Sequence, residues 1–72
     1  MTEPGELERT IEALLFLSAD PVDAAALADA TESDLHEVVT ALERLREYYD
    51  FERRGLVVRE LAGGWQLTSH PD

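Results

Sequence analysis

The stretch LAGGWQLTS, Leu61 to Ser69, sets two adjacent glycines between runs that alternate with period two. LVVRELA before them and WQLTS after them predict strands over 56–62 and 65–69, joined by a two-residue primed turn at Gly63–Gly64. That turn sets Ala62 opposite Trp65, Glu60 opposite Leu67 and Val58 opposite Ser69. One face then carries Leu56, Val58, Ala62, Trp65 and Leu67, with Glu60 as the misfit. A bulge near Glu60 or Leu61 would repair the pattern. Trp65, a large aromatic on the apolar face, reads as core rather than as a ligand-stacking group.

Upstream of the hairpin the period is helical. Leu7, Ile11, Leu14 and Leu15 form one stripe and predict a helix over 5–18, with Pro4 and Gly5 at its entry. Its end, Ala13–Leu17, is apolar nearly all round. Phe16 points roughly 155° from the centre of the stripe. Pro21 breaks the helix, and Asp23 is a good N-cap for a short alanine-rich helix over 24–30 anchored by Leu27. TESD, Thr31 to Asp34, resembles a capping box and predicts a longer helix over 33–50. Leu35, Val38, Val39, Leu42, Leu45 and Tyr49 lie on one face of it, with His36, Glu37, Thr40, Glu43, Arg44 and Glu47 opposite. Gly55 is the expected stop.

Helix, helix-turn-helix, then hairpin is the winged-helix order, a mainly α fold in which the hairpin is the wing. The 72 residues form a single domain. A chain of this size buries only about 60% of its unfolded surface, so a hairpin led by Trp65 and Leu67 is needed to cover the open side of three helices. Cysteine is absent, which removes disulfides and thiol chemistry and suits a reducing cytoplasm. The acidic N-terminus is the reverse of a secretory signal, and no apolar run is long enough to span a bilayer.

Sixteen acids face six bases, all arginine, for a net charge of −10. Such a chain repels polyphosphate and anionic lipid at long range. From Glu32 to Glu52 there are seven acids and two bases. The wing tip, Ala-Gly-Gly, carries no cation to enter a groove. Arg53–Arg54 is the only tight basic pair and reads as helix-end punctuation. A DNA-binding transcriptional regulator of this fold, the alternative reading, needs Arg44, Arg46, Arg53 and Arg54 on one face. On an ideal helix Arg44 and Arg46 point about 160° apart.

Catalysis finds no support. His36 and His70 are far apart, Glu8 and Glu12 read as a solvated i, i+4 pair, and the acids around His36 read as a solvated helix start rather than a metal site. AGGW is too short to cradle a phosphate. The sequence thus predicts no catalytic residue, cofactor or metal. It does carry surplus apolar surface: Phe16 and Leu17 on the first helix, Val57 and Leu61 on the second face of the hairpin. These four are the candidate self-association residues.

Two runs resemble a known family. E-A-L-L-F-x-S-x-x-P, Glu12 to Pro21, and R-G-L-x-x-R-E-x-A-G-G-aromatic-Q-L, Arg54 to Leu67, are similar to the first winged-helix domain of bacterial segregation and condensation protein B. The resemblance covers nearly the whole chain after about residue 6. It implies a non-enzymatic subunit of an SMC–kleisin condensin, acting in chromosome condensation and segregation from the cytoplasm. It implies a homodimer through this domain, contact with the kleisin (segregation and condensation protein A) and through it with SMC, and no direct contact with nucleic acid or membrane. The family has a second winged-helix domain that makes much of the kleisin contact. The sequence stops at Asp72, so an isolated domain or truncated chain is expected, with the homodimer as its leading function.

Overall fold

A computed structural model describes residues 5–52 and 55–69. Three helices, α1 (Glu6–Leu17), α2 (Ala24–Thr31) and α3 (Leu35–Glu52), precede an antiparallel hairpin of β1 (Leu56–Leu61) and β2 (Gly64–Ser69). This is the expected winged-helix order.

α3 is the centre of the packing. Val38, Ala41, Leu42, Leu45 and Tyr49 form its buried stripe, and they meet Ile11 and Leu15 of α1, Leu27 of α2, Val58 of β1 and Trp65 of β2. Leu35 departs from expectation. At 50% exposed it lies outside the core, and Ala41 takes a place in the stripe instead. Small Ala41, buried at 1%, lets a neighbouring helix approach closely.

The helix ends follow local chemistry. Asp23 Oδ1 accepts the Ala25 N–H at 3.0 Å, the expected N-cap of α2. The capping box before α3 lies three residues later than TESD suggests. Thr31 belongs to α2, where its hydroxyl donates to the Leu27 carbonyl at 2.7 Å. Glu32 takes the left-handed conformation (φ 54°) that closes α2. The Asp34 N–H then donates to Glu37 Oε1 at 3.2 Å, a box-like contact at Asp34–Glu37.

The hairpin also differs from expectation, by two residues in register. Leu61 pairs with Gly64, Glu60 with Trp65, Val58 with Leu67 and Leu56 with Ser69, in an unbroken ladder with no bulge. The turn is Ala62–Gly63, both at positive φ (48° and 83°), as a type I′ turn requires. A slip of two keeps every side chain on its predicted face. The cause is a long-range contact. Val22, in the α1–α2 linker, bridges to Trp65 through two reciprocal N–H to carbonyl bonds of 2.7 Å. Gly64 is therefore buried against the linker, where a Cβ would stand 2.8 Å from Pro21 Cβ and 3.1 Å from its carbonyl carbon. The glycine needed for close approach is Gly64, so it belongs to the strand, and the turn falls one residue earlier.

Gly64→Ala is expected to cost about 1–3 kcal/mol in urea unfolding, because the new Cβ meets the rigid Pro21 ring and, behind it, the linker backbone. Ala62→Asn is expected to raise stability by about 0.5–1 kcal/mol, since Asn tolerates the left-handed region that Ala resists. A neutral Gly64→Ala would show that the linker yields easily.

Candidate functional site

The third helix is the usual reading element of this fold, and its outer face is acidic. His36, Glu37, Glu43 and Glu47 are exposed there. The two described arginines of α3 diverge. Arg44 lies 3.9 Å from Glu8, while the guanidinium of Arg46 stands over the Trp65 ring at 5.2 Å. Arg46 thus covers the edge of the core as a cation–π partner, an interaction of about 0.5–1 kcal/mol. Arg53, Arg54 and His70 lie outside the described residues.

Glu8 and Glu12, expected on a solvated face, have structural partners. Glu8 is 8% exposed and its Oε1 accepts the Gly5 N–H at 2.6 Å, closing the first turn of α1. Glu12 accepts a hydrogen bond from the Tyr49 hydroxyl, tying α1 to the end of α3. Among the described residues, no three His, Asp or Glu side chains converge to hold a metal.

Phe16 and Leu17 stand 72% and 80% exposed. Neither α2 nor the wing encloses them. Phe16 borders a groove of about 320 Å³ between α1 and the hairpin, with Ala13 beside it and Leu56 and Leu67 opposite. Arg9, Glu12 and Tyr49 complete the rim. Positions 9, 12, 13 and 16 are one face of α1. Leu56 and Leu67 are half-buried against the core and turn their remaining surface into this groove.

Val57 and Leu61 are brought to a different place. Both are half-buried, and strand alternation puts them on the face of β1 opposite Leu56 and Val58. The structure therefore groups Phe16 with Leu56 and Leu67, which the sequence assigns to the core. Leu17 follows at the exposed end of α1. The signal for the grouping was latent in the apolar face of the hairpin, but which part of it the helices leave open depends on tertiary packing.

A second, shallower groove, of about 460 Å³, runs along α2 between Ala25, Ala28, Asp29, Glu32 and Leu35. It has alanine walls and no basic group.

Residues 9–72 match the family model of the segregation and condensation complex subunit ScpB. Segregation and condensation protein B of Syntrophotalea carbinolica is 42% identical over 67 residues, 93% of this chain and 34% of that protein. Its counterpart from Symbiobacterium thermophilum is 34% identical over 62 residues, 86% of this chain and 28% of that one. The chain thus spans about a third of these relatives' length. The crystal structure of ScpB from Mycobacterium tuberculosis superposes with a TM-score of 0.88 at 31% identity, over 99% of this chain and 44% of that one. A crystal structure of a dimer of an ScpB N-terminal domain complexed with an ScpA peptide gives 0.84 at 28% identity, over 89% of this chain and 80% of that one.

At concentrations where the chain is monomeric, Phe16→Glu is expected to leave chemical-denaturation stability within about 0.5 kcal/mol, as for other exposed positions. Trp65→Ala is expected to cost about 3–5 kcal/mol. Equal losses would mean that Phe16 is part of the core.

Proposed function

The chain belongs to the ScpB family of segregation and condensation complex subunits, and from that premise we propose that it is a non-enzymatic assembly module of an SMC–kleisin condensin. It acts in chromosome condensation and segregation by self-association and by binding the kleisin, segregation and condensation protein A, and through it SMC. It works in the cytoplasm, at the nucleoid by way of the complex. Among the described residues, no helix is long and apolar enough to cross a membrane.

The observation that carries this reading is the exposed apolar end of α1, Phe16 and Leu17 beside half-buried Leu56 and Leu67, on a chain whose reading helix is acidic. An apolar patch of this kind marks a protein contact. Phe16 and Leu17 are its proposed self-association residues. Val57 and Leu61 enter the proposal as a separate strip on the outer face of the hairpin. The likeness to a domain solved as a dimer with an ScpA peptide supports both partners.

Multi-angle light scattering across a concentration series is expected to rise toward twice the 8.1 kDa monomer mass. Phe16→Glu is expected to weaken the dimer at least about tenfold, roughly 1.4 kcal/mol, without unfolding the monomer. A wild-type mass fixed at the monomer value at high concentration would refute self-association by this piece.

A transcriptional regulator of the same fold makes the opposite forecast for DNA. Phosphate contacts supply most of a protein–DNA complex's affinity, and they need convergent cations. Titration with duplex DNA at low salt is expected to give no binding that weakens steeply with added salt. Tight, salt-sensitive binding would replace the assembly reading with the regulatory one.

A further inference from the structure

The groove between α1 and the hairpin differs electrostatically from the segment that runs through α2 into α3. The chain carries a net charge of −10, and the segment Asp20–Glu43 alone holds seven acids and no Lys or Arg. The groove's rim, in contrast, has one base and one acid, Arg9 and Glu12, around an apolar floor. Glu12 is held by the Tyr49 hydroxyl, which fixes its carboxylate at the rim. A like-charged copy is repelled by most of the surface. It is tolerated best where the local charges cancel and where apolar surface is available to bury.

We propose that this groove seats a second copy of the chain, Phe16 of each protomer entering the other's groove against Leu56 and Leu67, and that this association strengthens as ionic strength rises. The inference rests on the self-association proposed above and adds its seat and its regulation. A twofold contact presents the same patch from both protomers, and Arg9 and Glu12 cancel at the rim, so the patch adds no net charge of its own. The attraction is short-ranged and apolar, so salt does not screen it away. The repulsion is between exposed acids spread over both bodies. It is screened over about 10 Å at 0.1 M salt and about 3 Å at 1 M. Added salt thus removes the opposing term and leaves the favourable one. A nucleic-acid complex responds with the opposite sign.

The test is sedimentation equilibrium of the chain in sodium chloride from about 0.05 to 0.5 M, where the screening length falls severalfold. The dimer dissociation constant is expected to fall at least about fivefold over that range. The triple variant Asp29→Asn, Glu32→Gln, Glu43→Gln alters exposed acids that do not line the groove. It is expected to dimerise more tightly at low salt and to show a flatter salt response. Phe16→Ala, which changes no charge, is expected to lose the dimer at every salt concentration. A dimer whose constant is unmoved or weakened by salt overturns the regulation while leaving self-association standing. An unchanged salt response in the triple variant overturns its electrostatic origin. A dimer that survives Phe16→Ala overturns the seat. A monomer throughout overturns the self-association reading itself.

Discussion

Two hydrogen bonds of 2.7 Å between Val22 and Trp65 hold the hairpin to the helices. A lone two-stranded hairpin is marginal in water, so the wing needs a third partner. The α1–α2 linker supplies it, and Gln66 adds a side-chain bond to the Ala19 carbonyl at 3.0 Å. The rest of the wing follows from that tie. Gly64 is confined against Pro21, so the turn falls at Ala62–Gly63 and Glu60 lies opposite Trp65. Trp65 is fixed at 5% exposure, with Arg46 over its ring. Val58 is directed onto α3, completing a core too thin to be closed by helices alone.

The same tie leaves something uncovered. The linker holds the hairpin against α1 and α3, and Leu56 and Leu67 lie at the edge of that cover. Their remaining surface faces the outer side of α1, where Phe16 lies. The Tyr49–Glu12 hydrogen bond braces α1 against α3 at this point, and Tyr48 and Tyr49 pack edge to face at 5.7 Å. The groove therefore has ordered walls. Its apolar content is a consequence of how a 72-residue chain closes its core, which makes it available as a contact surface without a specialised loop.

Much of this was legible in the sequence because it rests on local rules. The helical stripes, the Asp23 cap, the burial of Trp65 and the helix-turn-helix followed by a hairpin all come from periodicity and capping chemistry. At the departures two local solutions were nearly equivalent, and a neighbouring group chose between them, distant in sequence for the turn and adjacent for the cap. Gly63–Gly64 and Ala62–Gly63 are both acceptable primed turns, and Pro21, some forty residues away, excludes a side chain at position 64. Thr31 and Asp34 are both acceptable caps, and the left-handed Glu32 decides that Thr31 ends a helix. Glu8 and Glu12 at i, i+4 resemble a solvated pair until Gly5 and Tyr49 are placed beside them. The candidate surface was legible in part. Phe16 and Leu17 are recognisable as surplus from the helical wheel. Their neighbours Leu56 and Leu67 are not, because alternation shows which face of a strand is apolar and not how far the helices extend over it.

The arginines show why a reading fold need not read nucleic acid. A recognition helix works when its outward cations are unoccupied and convergent. Here Arg46 lies on the indole of Trp65 and contributes to the cover of the core, and Arg44 lies beside a carboxylate that is itself engaged at the start of α1. Arg46, which would otherwise contact phosphate, has become part of the scaffold, Arg44 remains largely exposed, and the outward positions beside them include glutamates. Acidic surface then acts in the same direction as the missing cations. It disfavours encounters with polyanions and, at low salt, with like copies. On a body that repels over most of its surface, any partner is selected by the few places where apolar surface is open and charge is balanced.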